Sequence, residues 1–141
     1  MKQSTRSPEE LLRQAGMKAT PSRIAIMKAL NESKKPLSIN GIKIMLGKSL
    51  TDQATIYRTI ETLVSKGLAR LVNFQHDHQH YELVDTSHHH HLICKTCDTV
   101  VDVSKCNTGK LEKEIKKIGG FAQVDSHALE FFGICKKCAR R

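Results

Sequence analysis

At 141 residues, with 39% hydrophobic and 4% aromatic content and no tryptophan, the chain suits one ordinary domain or two small ones and excludes a large aromatic-rich core. No run of about 18 apolar residues occurs, so no membrane span is expected. The net charge of +9 is uneven: residues 1–84 carry 13 Lys/Arg against 7 Asp/Glu, and residues 85–141 carry 10 against 7, which favours an anionic partner such as nucleic acid for the first half.

Ser7-Pro8-Glu9-Glu10 predicts a helix start, with Ser7 as N-cap, Pro8 at the first helical position and Glu10 closing a capping box. Leu11 and Leu12 follow, and Gly16 stops it. Thr20-Pro21 opens a second helix, with Ile24, Ile26, Met27 and Leu30 as its buried stripe. Lys34-Lys35-Pro36 breaks the chain before a third, capped by Ser38 and carrying Ile39, Ile42 and Leu46, with Gly41 against it. In the fourth segment Ile56, Ile60, Leu63 and Val64 share one helical face, and Gly67 ends it. Thr55, Arg58 and Thr62 lie opposite, with Tyr57 on the flank. Two strand-like runs follow, residues 69–74 and 80–84, separated by polar residues 75–79. Helices followed by a two-stranded ribbon predict a winged helix-turn-helix, whose last helix enters the major groove while basic side chains clamp phosphates.

The composition changes at Asp85-Thr86-Ser87, where the domain boundary is set: one domain over 1–84, another over 85–141. In the second, residues 90–93 and 99–103 flank Cys94-Lys95-Thr96-Cys97 as a strand hairpin. Leu111, Ile115 and Ile118 mark a helix stopped by Gly119-Gly120, and residues 121–124 and 128–132 read as strands.

The chemistry is concentrated in this half. Seven of the eight histidines fall between His76 and His91, and the run ends close to the first C-x-x-C pair. A second pair, Cys135-Lys136-Lys137-Cys138, follows after a gap of 37 residues, 98–134. The polar first 16 residues do not read as a secretory signal, so a cytoplasmic, reducing setting is expected, in which paired cysteines indicate metal rather than disulfides. Two knuckles of two sulfurs each complete a tetrahedron, as structural zinc requires. The bland readings are a redox-active C-x-x-C or two unrelated pairs of buried thiols. Cys106 reads as an ordinary small side chain. In His88-His89-His90-His91, strand alternation puts His89 and His91 on one face and His88 and His90 on the other, so one stretch can feed two metal centres. A purification tag or a solvated patch is the bland alternative. Glu82 and Asp102 are nearby carboxylates, each a surface residue if taken alone. His76, His78 and His80 offer further metal ligands, but a polar loop is the simpler reading. Lys18, Arg23 and Arg58 sit near helix starts or on the polar face of the fourth helix, where nucleic-acid contact outweighs scattered charge.

Together these motifs resemble the ferric uptake regulator family of metal-responsive repressors, from about Leu11 to Cys138. The residues that carry the resemblance are 16–23 (GMKATPSR), 54–60 (ATIYRTI), Tyr81-Glu82, the stretch from His88 to Cys97, Val101-Asp102, and His127 through Gly133 to Cys138. The resemblance implies an α+β (α/β) protein: an N-terminal winged-helix DNA-binding domain and a small C-terminal α/β domain that binds metal and dimerises. It implies a homodimer that binds a pseudo-palindromic double-stranded operator and represses genes of metal homeostasis or oxidative stress. By the same resemblance, Lys18, Arg23, Thr55, Tyr57 and Arg58 contact DNA. Cys94, Cys97, Cys135 and Cys138 hold structural zinc. Glu82, His89, His91 and Asp102 form an inter-domain sensing site for iron(II), zinc or manganese. His88, His90 and His127 belong to a second site. The sequence departs from the family pattern in two places. Pro36 or Leu37 stands where iron-type members place a histidine ligand. Gly109 stands where the second site commonly has a glutamate, with Glu112 or Cys106 as substitutes.

Rival classes are a zinc hydrolase and a zinc-ribbon module that binds nucleic acid or protein without sensing. Catalytic zinc needs an open position and a general base, and no H-E-x-x-H or comparable motif occurs, so the expectation is a non-enzyme.

Overall fold

The computed structural model describes residues 6–48, 50–84 and 88–141. Its contacts divide the chain into two compact units, Met1–Thr86 and Ser87–Arg141. The expected boundary at Asp85-Thr86-Ser87 lies outside the described residues.

The N-terminal unit starts with α1 (Pro8–Gln14), where Ser7 Oγ accepts the Glu10 amide at 3.2 Å and Glu10 Oε2 accepts the Ser7 amide at 2.9 Å. Thr20 caps α2 (Pro21–Glu32). A two-residue strand, β1 (Leu37–Ser38), leads directly into α3 (Ile39–Leu46). The helix runs through Gly41. The Gly41 amide donates to the capping Ser38 Oγ at 3.0 Å, and a Cβ there would meet the same oxygen at 3.4 Å, close to ordinary contact. The fourth helix, α4 (Gln53–Ser65), has a cap the sequence reading passed over: Asp52 Oδ1 accepts the Thr55 amide at 2.6 Å. That backbone bond, then the Thr55 side chain, holds the Asp52 carboxyl below its ordinary range.

Packing turns α4 slightly from the predicted face. Ile56, Thr59, Ile60 and Leu63 are buried, whereas Val64 is 38% exposed. Positions i, i+3, i+4 and i+7 are one stripe, and Thr59 completes it better than Val64 does. The core joins Ile56, Ile60 and Leu63 to Leu12, Ile26, Met27 and Ile42, all essentially without solvent contact.

The strands β2 (Ala69–Val72) and β3 (His80–Leu83) pair antiparallel as predicted, but the sheet has three strands in the order β1-β3-β2. Leu37 lies opposite Tyr81 and Ser38 opposite His80. Two residues carry no readable alternation, so only the partner strand reveals β1.

The C-terminal unit is a second three-stranded sheet with one longer and one short helix. β4 (His90–Cys94) lies between β5 (Val100–Val103), antiparallel to it, and β6 (Glu130–Gly133), parallel to it. Between β5 and β6 runs α5 (Gly109–Gly119), ended by Gly120 in the left-handed region at φ 65°. The strand expected over residues 121–124 does not form. These residues follow the turn in which the Phe121 amide returns to the Lys116 carbonyl, and no strand pairs with them. A last helix, α6 (Lys136–Ala139), was not anticipated and contains Cys138. Among the described residues no helix is long and apolar enough to cross a membrane.

Candidate metal centres and nucleic-acid interface

In the N-terminal unit, the start of α2 and the polar face of α4 border one shallow concavity of about 640 Å³, lined by Thr20, Ser22, Arg23, Thr55, Arg58, Thr59 and Thr62. Arg23 is anchored there, its guanidinium donating to the Lys18 carbonyl at 3.0 Å. Lys18 itself is exposed just before the helix. Helix N-terminal amides beside an arginine favour a phosphate. Arg58 donates from Nε to the Ala54 carbonyl at 3.4 Å and also borders a neighbouring hollow with Gln53, Ala54 and Tyr57. Tyr57 is 45% exposed, and the Glu61 carboxylate beside it raises its phenol. Of the five residues expected to contact DNA, four line these two hollows: Arg23, Thr55, Tyr57 and Arg58. Ser22 and Gln53, both at helix starts, line the same hollows and were not singled out from the sequence.

Glu82 lies on β3 directly opposite Arg70 of β2, and Arg70 Nε donates to its Oε1 at 2.7 Å. Nothing in the sequence had marked Arg70. At the start of β3 the His80 ring stacks on Phe74 with centroids 4.0 Å apart and planes 5° from parallel, and His76 from the loop between β2 and β3 meets both rings edge-on.

In the C-terminal unit two groups of donors converge. The first is Cys94, Cys97, Cys135 and Cys138, whose sulfurs all lie within 4.8 Å of one another. Cys94 ends β4, and the chain turns through Asp98 at φ 54°, whose amide returns to the Cys94 carbonyl at 2.9 Å. The Lys95 amide bonds the Gly133 carbonyl at 2.9 Å, which ties the first knuckle to the end of β6, and Cys135 caps α6. Tetrahedral zinc with Zn–S near 2.3 Å puts sulfurs about 3.8 Å apart. Cys97 Sγ and Cys135 Sγ are 3.8 Å apart, so the set fits that ion. Local bonds prepare the thiols unequally. The Cys135 amide, donating at 3.3 Å, leads several bonds that pull Cys94 down to about 6. The Thr99 hydroxyl lowers Cys97. Cys138, sharing hydrogen bonds with Cys135 and Cys97, is pushed up to about 12. All five cysteines are free thiols.

The second group is His88, His90, His127 and, contrary to its reading as a bystander, Cys106. The alternation expected of the histidine run is present. His88 and His90 rings sit 4.6 Å apart with His127 beside them, while His89 and His91 pair separately at 5.1 Å. Asp102 is the β5 register partner of His91, its Oδ1 3.9 Å from His91 Nε2, too long for a direct hydrogen bond.

A winged-helix unit that sets Arg23 and Arg58 on one polar concavity, in one chain with a unit rich in convergent thiols and imidazoles, defines a metal-responsive DNA-binding transcription regulator. Residues 14–132 match the ferric uptake regulator family, and the chain belongs to that family. It is 33% identical over 130 residues to the ferric uptake regulation protein of Legionella pneumophila, covering 90% of this chain and 95% of that protein. It is 29% identical over 134 residues to the peroxide operon regulator of Bacillus subtilis, covering 94% and 91%. The solved structure of the Pseudomonas aeruginosa ferric uptake regulator with manganese superposes with a TM-score of 0.75 at 27% identity, covering 93% of this chain and 99% of that one.

Proposed function

We propose that this chain is a cytoplasmic, non-enzymatic repressor that works as a homodimer on a pseudo-palindromic operator and is controlled by iron(II), zinc or manganese. Lys18, Arg23, Thr55, Tyr57 and Arg58 contact the DNA. Cys94, Cys97, Cys135 and Cys138 hold structural zinc, and Glu82, His89, His91 and Asp102 take the regulatory ion. His88, His90 and His127 supply a second centre. The observation that carries this reading is the histidine run. It offers two separate imidazole pairs and runs into a cysteine knuckle, in a chain whose other unit sets Arg23 of α2 and Arg58 of α4 on one polar concavity.

The residues divide the work. The thiols staple the end of the chain to β4 and so fix the sheet that presents the histidines. Arg23 and Arg58 neutralise phosphates, and Thr55 and Tyr57 reach the groove. When bound, the cation supplies charge neutralisation and a rigid cross-link among its donors. It favours the operator-bound arrangement only through differential affinity, and a hundredfold ratio corresponds to about 2.7 kcal/mol. The similarity to a peroxide operon regulator supports a variant in which an iron-loaded sensing set also responds to peroxide.

Fluorescence anisotropy with operator DNA, in chelator and with added zinc, iron(II) or manganese, tests the reading. At least one ion is expected to tighten binding ten- to a hundredfold, with the response lost in a His89→Ala/His91→Ala double variant. Equal affinity under all four conditions sinks the sensing role and favours a passive zinc-ribbon module.

A further inference from the structure

Cys106 lies three residues beyond β5, on the segment leading into α5. Its Sγ is 3.2 Å from His127 Nε2. That nitrogen is 2.9 Å from His88 Nε2 and 3.4 Å from His90 Nε2, and the last two are 3.2 Å apart. Four donors from three stretches of chain thus meet at one point. Hydrogen bonding satisfies such a set poorly. Each neutral imidazole has a single N–H, so three nitrogens facing one another leave lone pairs opposed, and protonating more of them sets like charges together. A single cation satisfies all of them. Tetrahedral zinc, with Zn–N about 2.0–2.1 Å and Zn–S about 2.3 Å, puts nitrogens about 3.3 Å apart and sulfur about 3.6 Å from each nitrogen. The separations in the structure fall around those values, slightly tight for sulfur.

The far side of His127 is equally organised. Its Nδ1 faces Glu112 Oε1 at 3.1 Å, and the Thr108 hydroxyl donates to the same oxygen at 2.9 Å. Thr108 Oγ1 is also 3.4 Å from Cys106 Sγ. A carboxylate on Nδ1 keeps the proton on that nitrogen and turns the Nε2 lone pair toward the other donors. Glu112 therefore acts through His127 and stands outside the convergence point.

We propose that Cys106, His88, His90 and His127 form a closed one-thiolate, three-imidazole centre for zinc, with Glu112 as a positioning residue. A thiolate with imidazoles suits zinc or cobalt(II), whereas manganese favours carboxylate and water oxygens. The inference rests on the three histidines being a metal centre, and it changes that centre's character, because sulfur closes it where a carboxylate was expected.

The test is a cobalt(II) titration of the full chain carrying one zinc per chain, followed by absorption spectroscopy, with zinc release monitored. A second metal is expected, with tetrahedral d–d bands and a thiolate-to-cobalt charge-transfer band that manganese does not displace. Cys106→Ser is expected to keep the first zinc, which reports an intact fold, while losing the charge-transfer band and binding cobalt more than tenfold more weakly. Glu112→Gln is expected to keep the band with affinity reduced about 10- to 100-fold. Three results overturn the proposal. A wild-type cobalt complex without the band, or a band unchanged in Cys106→Ser with the first zinc retained, removes the thiolate and leaves a histidine centre standing. Loss of cobalt in Glu112→Gln but not in Cys106→Ser makes the carboxylate the ligand. No cobalt bound beside the first zinc in the wild type removes the whole centre.

Discussion

Two residues show how local bonds prepare single side chains for their tasks. Arg58 borders both hollows on the exposed side of α4, and its Nε is engaged with the Ala54 carbonyl, which restricts how the guanidinium is presented. If it neutralises a phosphate, Arg58→Ala weakens binding to operator and random DNA alike and lowers the slope of log affinity against log salt by about 1, readable by anisotropy across a salt series. A change confined to one operator position would make it a base contact instead. Cys94 is the second case. With its thiol pulled down to about 6, it is mostly ionised at pH 7, whereas Cys138, pushed up to about 12, is protonated. Zinc uptake by metal-free protein at pH 7 is therefore expected to release fewer than four protons, and the number should rise as pH falls below about 6 and Cys94 takes up its proton. Calorimetry in buffers of different ionisation enthalpy measures this, and four protons released at pH 7 contradicts it.

At the scale of elements, α4 shows what periodicity does and does not decide. Four apolar positions announced a helix with one buried face, and the helix is there. Which residue completes the stripe depended on what packs against it: Thr59 is buried and Val64 is not. Ile60→Ala, in the fully enclosed core, is expected to cost about 2–5 kcal/mol of unfolding free energy. Val64→Ala should stay within about 0.5 kcal/mol. Denaturant unfolding of both variants checks the difference, and equal losses would mean that the helix packs on the originally expected face. The caps at Ser7, Thr20 and Ser38 were readable because a cap and its amide lie within three residues. Asp52 obeys the same rule and was overlooked, although Gln53–Ser65 begins immediately after it.

At the scale of the whole molecule, the C-terminal sheet leaves an apolar row open. Leu92, Val101 and Phe131 are register neighbours across β5, β4 and β6, and each is about half exposed. The row is a candidate surface for a second copy of the chain. Phe131→Asp is expected to shift the protein toward monomer in sedimentation velocity and to weaken operator binding at least tenfold while zinc content stays at the wild-type level. An unchanged dimer places the interface elsewhere. The sequence by itself determined α1 to α5, the caps at Ser7, Thr20 and Ser38, the first hairpin, both cysteine knuckles and the two-sided histidine run, because each is set by side chains within a few residues of one another. It determined the family for the same reason, through motifs whose spacing is local. Only the tertiary structure decided that β1 joins the wing, that β6 runs parallel to β4, that Arg70 holds Glu82, and that Cys106 meets His88, His90 and His127. Those pairings join segments from about a dozen to several tens of residues apart, and at that range the path of the chain, rather than any local propensity, selects which side chains meet.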